Sequence, residues 1–425
     1  MNLARTFWLL AVLFGLVCAP LLLSSGHTNY SADEESYHLP AVRQIRAHWP
    51  RVDLVQDSLS AVSPAYHLVL ATVSLLTGPS VTALRLVNWA VSLACLAVLW
   101  RLLAPTDAVL ATAAVLPLAC SNFFVKSACW IVTDNAGLLA VAGVFAWSLH
   151  TAARRRPWVG GVLATAATLA RQVHCWTVVP VFLSLRQPDG MGPRRHRLGG
   201  YAALALPFAA LGALVASWGS LVPPRWQNEV AHVAGSSALA GPCYLLAVIA
   251  LLAPAYLFAV RGGRTRTGLR WWLLGGAAAG ATLWLFAATD FDPGAGRWGG
   301  YLWTLAAHAP VFGHHSLAFA LLAPAGGAAL GGLLARLHGT GDWTRFSWWT
   351  LSFAAWVATT LPSRLAFHRY FEPMTLLFLI AWLLLVARAA PGRPADRRGL
   401  VGLAVAQLVL TLLTAHRAVL LPAST

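Results

Sequence analysis

The chain has 425 residues, 58% hydrophobic and 10% charged, and its 30 Lys and Arg against 14 Asp and Glu leave a formal charge of +16. A soluble domain carries roughly 25% charged residues, so the composition excludes a soluble enzyme, a disordered chain and a fibre. Apolar blocks recur at the length that a hydrocarbon core about 30 Å thick demands, as at 239–260, which has no charge. Period-two alternation is absent. The expected fold is all-α, a polytopic membrane protein with about 12–13 transmembrane helices.

In chain order, the first apolar run, 7–23, follows Arg5 and lacks a small-x-small cleavage site, so it reads as an uncleaved span. A polar loop, 27–62, follows. The run 64–77 is short for a span and reads as re-entrant or as the start of a bent helix. Further spans are expected near 82–103, 107–121, 134–152, 158–171, 173–185, 199–218, 240–260, 271–289, 311–336, 346–361, 371–387 and 399–416. Arg171 marks either a tight turn between two spans or a break in one long helix.

The basic residues are all Arg except Lys126. They cluster at Arg154, Arg155 and Arg156; at Arg186, Arg194, Arg195 and Arg197; at Arg261, Arg264, Arg266 and Arg270; and at Arg388, Arg393, Arg397 and Arg398. Recurrence after alternate pairs of spans is the positive-inside pattern, so the charge reads as topological rather than as a nucleic-acid footprint. Asp107, Asp189, Asp342 and Asp396 then fall on the cytoplasmic side. Asp33, Glu34, Glu35, Asp53, Asp57, Asp134, Glu229, Asp290, Asp292 and Glu372 fall outside or in the membrane near it. The chain reads as one domain, 1–425, with its longest polar loops (27–62, 219–238, 290–309) on the outer side. The six cysteines form no C-x-x-C pair and outline no metal site or disulfide framework; Cys120 and Cys129 are the one pair placed for a bridge.

Four constellations can carry chemistry. Asp33, Glu34 and Glu35 repel one another, which raises at least one carboxyl toward the range of a general base. If 34–48 is helical, Glu34 and His38 share a face; the plainer reading is a solvated acidic loop with Asp33 as a helix cap. Asp134, at the mouth of a span, is a cap or a functional carboxylate. Arg171, in Arg171-Gln172-Val173-His174, needs Asp134 or a lipid phosphate as partner, or snorkels. Arg225, Arg297, Arg364 and Arg369, with His314 and His315, are interleaved with Trp298, Tyr301, Trp303 and Tyr370. They suit an interfacial belt or a phosphate and a sugar ring. No P-loop, HExxH or Ser-His-Asp signature is present, which argues against nucleotide hydrolysis, zinc proteolysis and α/β-hydrolase chemistry.

An acidic cluster in the first outer loop of a many-span, Arg-bearing chain resembles the GT-C glycosyltransferases, and among them the α-1,2-glucosyltransferase family of asparagine-linked glycosylation. Glu34-Glu35-Ser36-Tyr37-His38-Leu39-Pro40 is similar to that family's Asp-Glu-x-x-His motif, or Asp33-Glu34 is the acidic pair with one residue inserted. Ser63-Pro64-Ala65-Tyr66, Leu84-Arg85-Leu86-Val87-Asn88, Val132-Thr133-Asp134, Arg171-Gln172 with Trp176, Arg297 with Tyr301, and Arg369-Tyr370 follow in the family's order. The chain departs from the family in lacking its Pro-Pro-Gly, and 219–235 matches only at Glu229. The resemblance implies an enzyme of GT-C type that transfers a sugar, with inversion, from a polyprenyl- or dolichyl-phosphate donor. The acceptor is a lipid-linked or glycan hydroxyl on the non-cytoplasmic face, here of a bacterial plasma membrane. It implies Asp33, Glu34 and Glu35 as catalytic candidates. His38, Asp134, Arg171, Gln172, Arg297, Arg369 and Tyr370 become substrate-binding ones. No cofactor is expected, because Arg can replace a divalent ion at the phosphate; a metal on the acidic cluster is the alternative. A transporter or flippase of lipid-linked sugars, or an inactive subunit that kept the fold, are the rivals.

Overall fold

The computed structural model describes residues 3–24, 29–150, 156–187, 194–231, 238–260, 268–361, 365–391 and 395–416. Arg154, Arg155, Arg261, Arg264, Arg266, Arg364, Arg393 and Asp189 lie outside the described residues, as do the side chains of Arg194, Arg195, Arg197 and Glu229. The chain is an all-α multi-pass integral membrane protein. Among the described residues seven helices are long and apolar enough to cross a bilayer: Arg5–Leu22, Val81–Leu103, Leu198–Trp218, Ala240–Ala259, Leu317–His338, His368–Ala389 and Arg398–His416. The pair Ala108–Ala119 and Asn122–Cys129 is an eighth if counted as one broken span. The break follows Pro117, and Ser121 restarts the helix by accepting the Phe124 N–H at 3.3 Å. The expected spans near 134–152 and 158–171 are shorter apolar helices, Asp134–Leu149 and Pro157–Ala170, and the run 64–77, expected to be short, is the Ala65–Thr77 helix.

Contacts divide the chain into two compact units. One comprises Met1–Ala104, Leu118–Val230 and Ala404–Thr425, the other Pro105–Pro117 and Ala231–Leu403. In the first unit, much of the expected outer loop is helical. Asn29–Asp33 runs through a π-helical turn, Glu34–His38, into the Leu39–Ala47 helix. Leu39, Val42 and Ile45 recur at helical spacing and are buried against Tyr66, Leu70, Leu84 and Ile131. Each such side chain contributes about 1.5–3 kcal/mol by leaving water. This packing fixes the acidic turn against the Ala65–Thr77 and Val81–Leu103 helices. Gly78, at φ +79°, ends the first of these, and the Ser80 hydroxyl caps the second through the Ala83 N–H.

In the second unit, glycines let the Leu269–Phe286 and Leu317–His338 helices touch backbone to backbone. A Cβ on Gly276 would lie 2.1 Å from the Gly327 carbonyl oxygen, and one on Gly280 2.3 Å from that of Ala323. The His368–Ala389 helix is buried almost all round, which places it at the centre of this unit. The only strands among the described residues form a two-residue hairpin, Val311–Phe312 with His315–Ser316. All six cysteines are unpaired, so no Cys120–Cys129 bridge forms. Cys120, at the break between two helices, and Cys129, at the end of the second, are both buried, where thiols act as small apolar groups.

Candidate functional site

The site is built in the first unit around the acidic turn. Asp33 already has helical φ and ψ and makes no side-chain cap bond. Glu34 turns inward and is 1% exposed. Arg85 Nε donates to both of its oxygens, at 3.2 and 3.0 Å, and Arg85 Nη2 donates to Oε1. The Ile131 N–H donates to Oε2 at 2.7 Å. Arg85 also donates to the Ser24 carbonyl. A buried carboxylate is tolerated when it is paired and its lone pairs are satisfied, and Glu34 meets both conditions. Its neighbours differ: Glu35 is exposed and Asp33 is half-buried.

His38, one turn on from Glu34, pairs with His67 rather than standing alone. His38 Nδ1 and His67 Nε2 are 2.9 Å apart. The rings are within 11° of parallel with centroids 5.1 Å apart, the dimensions of an in-plane N–H···N bond. The residue beside His67 contributes to the same wall. Tyr66 donates its hydroxyl to Asn88 Oδ1 at 2.6 Å, and the Asn88 amide donates to the carbonyls of Ser127 and Trp130. Those carbonyls end the Asn122–Cys129 helix and have no partner within it. Asn88 therefore shapes the strand-like exit at 130–132 that carries the Ile131 N–H to Glu34.

Three residues beyond Ile131, Asp134 opens the Asp134–Leu149 helix. Thr133 at its N-cap makes no cap bond, and Asp134 instead forms an ion pair with Arg171 Nη1. Both partners are mostly buried. Arg171 is extended (φ −153°, ψ 126°) and interrupts a helical run. Pro157–Ala170 precedes it, and a 3-10 turn, Gln172–Thr177, leads on to Val178–Arg186. Of the two expectations for Arg171, the turn between two helices holds: a Cβ on Gly200 would lie 2.8 Å from both Pro157 and Leu185, so the start of the first helix and the end of the second come together, and Asp134 is the partner of Arg171. Gln172 accepts the Ser63 N–H at 3.0 Å and donates to the Leu221 carbonyl at 3.2 Å, so its amide joins two backbone segments. Several buried polar atoms in this neighbourhood find no hydrogen-bond partner among the described residues: Ser63 Oγ, Trp130 Nε1, Asn135 Oδ1 and His174 Nδ1. Each such atom costs about 1–3 kcal/mol.

The remaining sequence candidates belong to the second unit. Arg297 is 3% exposed and is held by its own loop. Its Nε donates to the Asp290 carbonyl at 3.0 Å, and its Nη2 to Asp290 Oδ1 at 2.8 Å and Asp292 Oδ2 at 3.2 Å. It closes a loop between two carboxylates. The Arg369 guanidinium lies over the rings of Phe367 and Tyr370, at 5.4 and 5.3 Å. Beside it is a buried chain that sequence reasoning missed: Tyr244 Oη to His368 Nδ1 at 2.8 Å, and His368 Nε2 to Glu372 Oε2 at 2.7 Å. Glu372 was placed near the outer face, but its i, i+4 relation to His368 was a readable signal. Arg85 and His67 were also missed as site residues. The signal for each was an ionisable side chain within or beside an apolar run. Among the described residues no group of three or more His, Cys, Asp or Glu could hold a metal ion. No family model, curated protein or solved structure matches this chain.

Proposed function

We propose that this protein is a membrane glycosyltransferase of GT-C type, with additional spans beyond the long helices to make about 12–13. In this reading it transfers a sugar, with inversion, from a polyprenyl- or dolichyl-phosphate donor to a lipid-linked or glycan hydroxyl. The reaction takes place on the non-cytoplasmic face of a bacterial plasma membrane. One observation carries the reading. Glu34 is bonded to Ile131 and Asp134 to Arg171, and Ile131 and Asp134 are so close in sequence that they are at most about 11 Å apart. The acidic turn and the Arg171 break, the two most reactive features of the sequence, therefore meet on one short segment.

The chemistry required is modest. A lipid phosphate is already a good leaving group. The protein must hold donor and acceptor in line, accept a proton, and offset charge developing on the phosphate. The Asp33–His38 turn supplies the proton acceptor and acceptor contacts. Arg171 offers a planar fork suited to phosphate oxygens, with Asp134 orienting it. Arg369 and Tyr370 suit a sugar or phosphate contact, whereas Arg297 serves its own loop.

An Arg in a turn between two apolar helices also suits a transporter of lipid-linked sugars. Purified protein given a panel of radiolabelled polyprenyl-phosphate sugars and a lipid extract separates the readings. Label moving into a new product supports the transferase, and Arg171→Lys should then lower donor use about tenfold or more. Donor binding without transfer to any acceptor favours the transporter or an inactive subunit. Neither binding nor transfer overturns both.

A further inference from the structure

We infer that the second unit holds one chain of an anionic membrane phospholipid in an apolar trough, with the lipid phosphate at Arg270. This site does not depend on the glycosyltransferase reading. The trough lies over the seam between the Leu269–Phe286 and Leu317–His338 helices. It holds about 570 Å³ and is lined only by apolar, aromatic and glycine residues. Sites for small ligands run from roughly 300 to 1,000 Å³. Trp271, Gly275, Ala279 and Leu283 recur at every fourth position along one wall, and Leu330 and Leu334 come from the other helix. Two small residues thus hollow the wall between two large ones. A Cβ on Gly275 would meet nothing within 4 Å, so the space above it is open. The floor is rigid, because the two helices already touch backbone to backbone at Gly276 and Gly327. From Trp271 to Leu283 the wall runs about 18 Å, at 1.5 Å per residue. That is slightly more than one leaflet of a hydrocarbon core about 30 Å thick.

One end of the trough carries charge. Arg270 is exposed at the start of its helix. Its guanidinium lies 5.1 Å from the centre of the Trp271 ring, the large residue that bounds the trough. It has no carboxylate partner among the described residues. Gly268, at the N-cap with φ +101°, offers no side-chain cap, so the first-turn N–H groups of Leu269 and Arg270 have no partner within the helix. A guanidinium fork and a helix N-terminus both favour a phosphate. The same end stands at headgroup level. Trp271 and Trp343 are 65% and 64% exposed. His338, also exposed, has its ring 5.8 Å from that of Trp272 and 5.1 Å from that of Trp343. Amphipathic rings of this kind gather at the membrane–water interface.

A leaflet-deep apolar trough that ends in such a cation matches a lipid with a hydrocarbon chain and an anionic phosphate. The charged end is also the far end of the helix from the 290–309 loop, which follows Phe286. The helix between them is about 27 Å long, at 1.5 Å per residue. Since that loop is expected on the outer side, the phosphate at Arg270 lies in the opposite leaflet. A sugar donor used on the non-cytoplasmic face has its phosphate in the outer one, so the lipid of this trough is a bilayer phospholipid and not the donor.

The test uses the full-length protein in phosphatidylcholine vesicles. Each sample carries a trace of a probe with a diazirine on one acyl chain, either phosphatidylglycerol or phosphatidylcholine. On illumination the phosphatidylglycerol probe should label the 271–283 stretch about fivefold more than the phosphatidylcholine probe. Arg270→Gln, at an exposed position, should bring the two probes level. Gly275→Leu puts bulk into open space and leaves the seam intact. It should abolish labelling of this stretch while the midpoint of thermal unfolding stays near that of wild type. Equal labelling by the two probes in wild type marks bulk bilayer lipid only and overturns the proposal. So does labelling that survives Gly275→Leu, or a preference that survives Arg270→Gln. Displacement of the phosphatidylglycerol probe by an equal amount of a polyprenyl phosphate also overturns it, and makes the trough a carrier-lipid site instead.

Discussion

At Glu34 three N–H groups converge on a carboxylate that has almost no exposure. Glu34→Gln leaves the Arg85 guanidinium without its counter-charge in a mostly buried place. It should cost about 3 kcal/mol, read as a lower midpoint of thermal unfolding in detergent. Adding Arg85→Gln should recover part of the loss, because the two residues act as a pair. Equal stability of Glu34→Gln and wild type would refute the latch. Glu35→Gln lies on the exposed side of the same turn and should change stability by less than about 0.5 kcal/mol. Three adjacent carboxylates thus divide into a buried anchor and more open neighbours. The acidic run was legible in the sequence, but this division was not. It depends on Arg85, 51 residues away, and on a main-chain N–H that no side-chain pattern reveals. The Asp134–Arg171 pair was legible, because a charge inside an apolar stretch demands a partner and few are on offer.

Helices were legible where their period was strong and their ends were marked. The Leu39–Ala47 helix lies inside a polar stretch where a helix over 34–48 was one of two readings, and Leu39, Val42 and Ile45 carry its period. Helix–helix contact was not legible from glycine content alone. Gly327 faces the Gly276 carbonyl, where a Cβ would meet oxygen at 2.0 Å, whereas Gly275 meets nothing within 4 Å. Gly327→Val should therefore sharply lower the unfolding midpoint, and Gly275→Ala should leave it unchanged or raise it slightly. Comparable losses in both would argue against the close contact. A second element carries a pH dependence. Burial pushes the Asp107 carboxyl up, but the Leu110 N–H, the Arg397 ion pair and the Val109 N–H together hold it below the ordinary aspartate range. These bonds cap the Ala108–Ala119 helix and tie it to Arg397. Because the folded value is depressed, the stabilisation is fully present above about pH 4 and is lost as pH falls through the lower folded value. Thermal unfolding followed at decreasing pH should show this acid loss in wild type and a smaller one in Asp107→Asn.

For the molecule as a whole, the thiols give a direct check on packing. Five of the six are buried and Cys175 is partly exposed. A membrane-impermeant maleimide should label Cys175 at most in the native protein and all six after denaturation, with no increase on adding a reductant. Labelling that required a reductant would restore a Cys120–Cys129 bridge. The number of long helices, seven or eight among the described residues, falls below the dozen expected from apolar runs. The reason is visible where spans were expected near 134–152, 158–171 and 173–185: the helices there, Asp134–Leu149, Pro157–Ala170 and Val178–Arg186, have only 16, 14 and 9 residues. Hydropathy measures whether a segment tolerates lipid, not whether one helix runs through it.

By itself the sequence determined the medium and the class: an all-α chain that resides in a membrane, because 10% charge leaves no way to dissolve so much apolar surface. It also determined where ionisable groups interrupt that surface. Tertiary structure decided which of them are spent on each other. Arg297 closes its own loop, Glu34 holds Arg85, and His38 meets His67. These choices depend on contacts between segments tens of residues apart and on main-chain donors and acceptors, and the strength of a buried pair depends on geometry that a linear pattern does not carry.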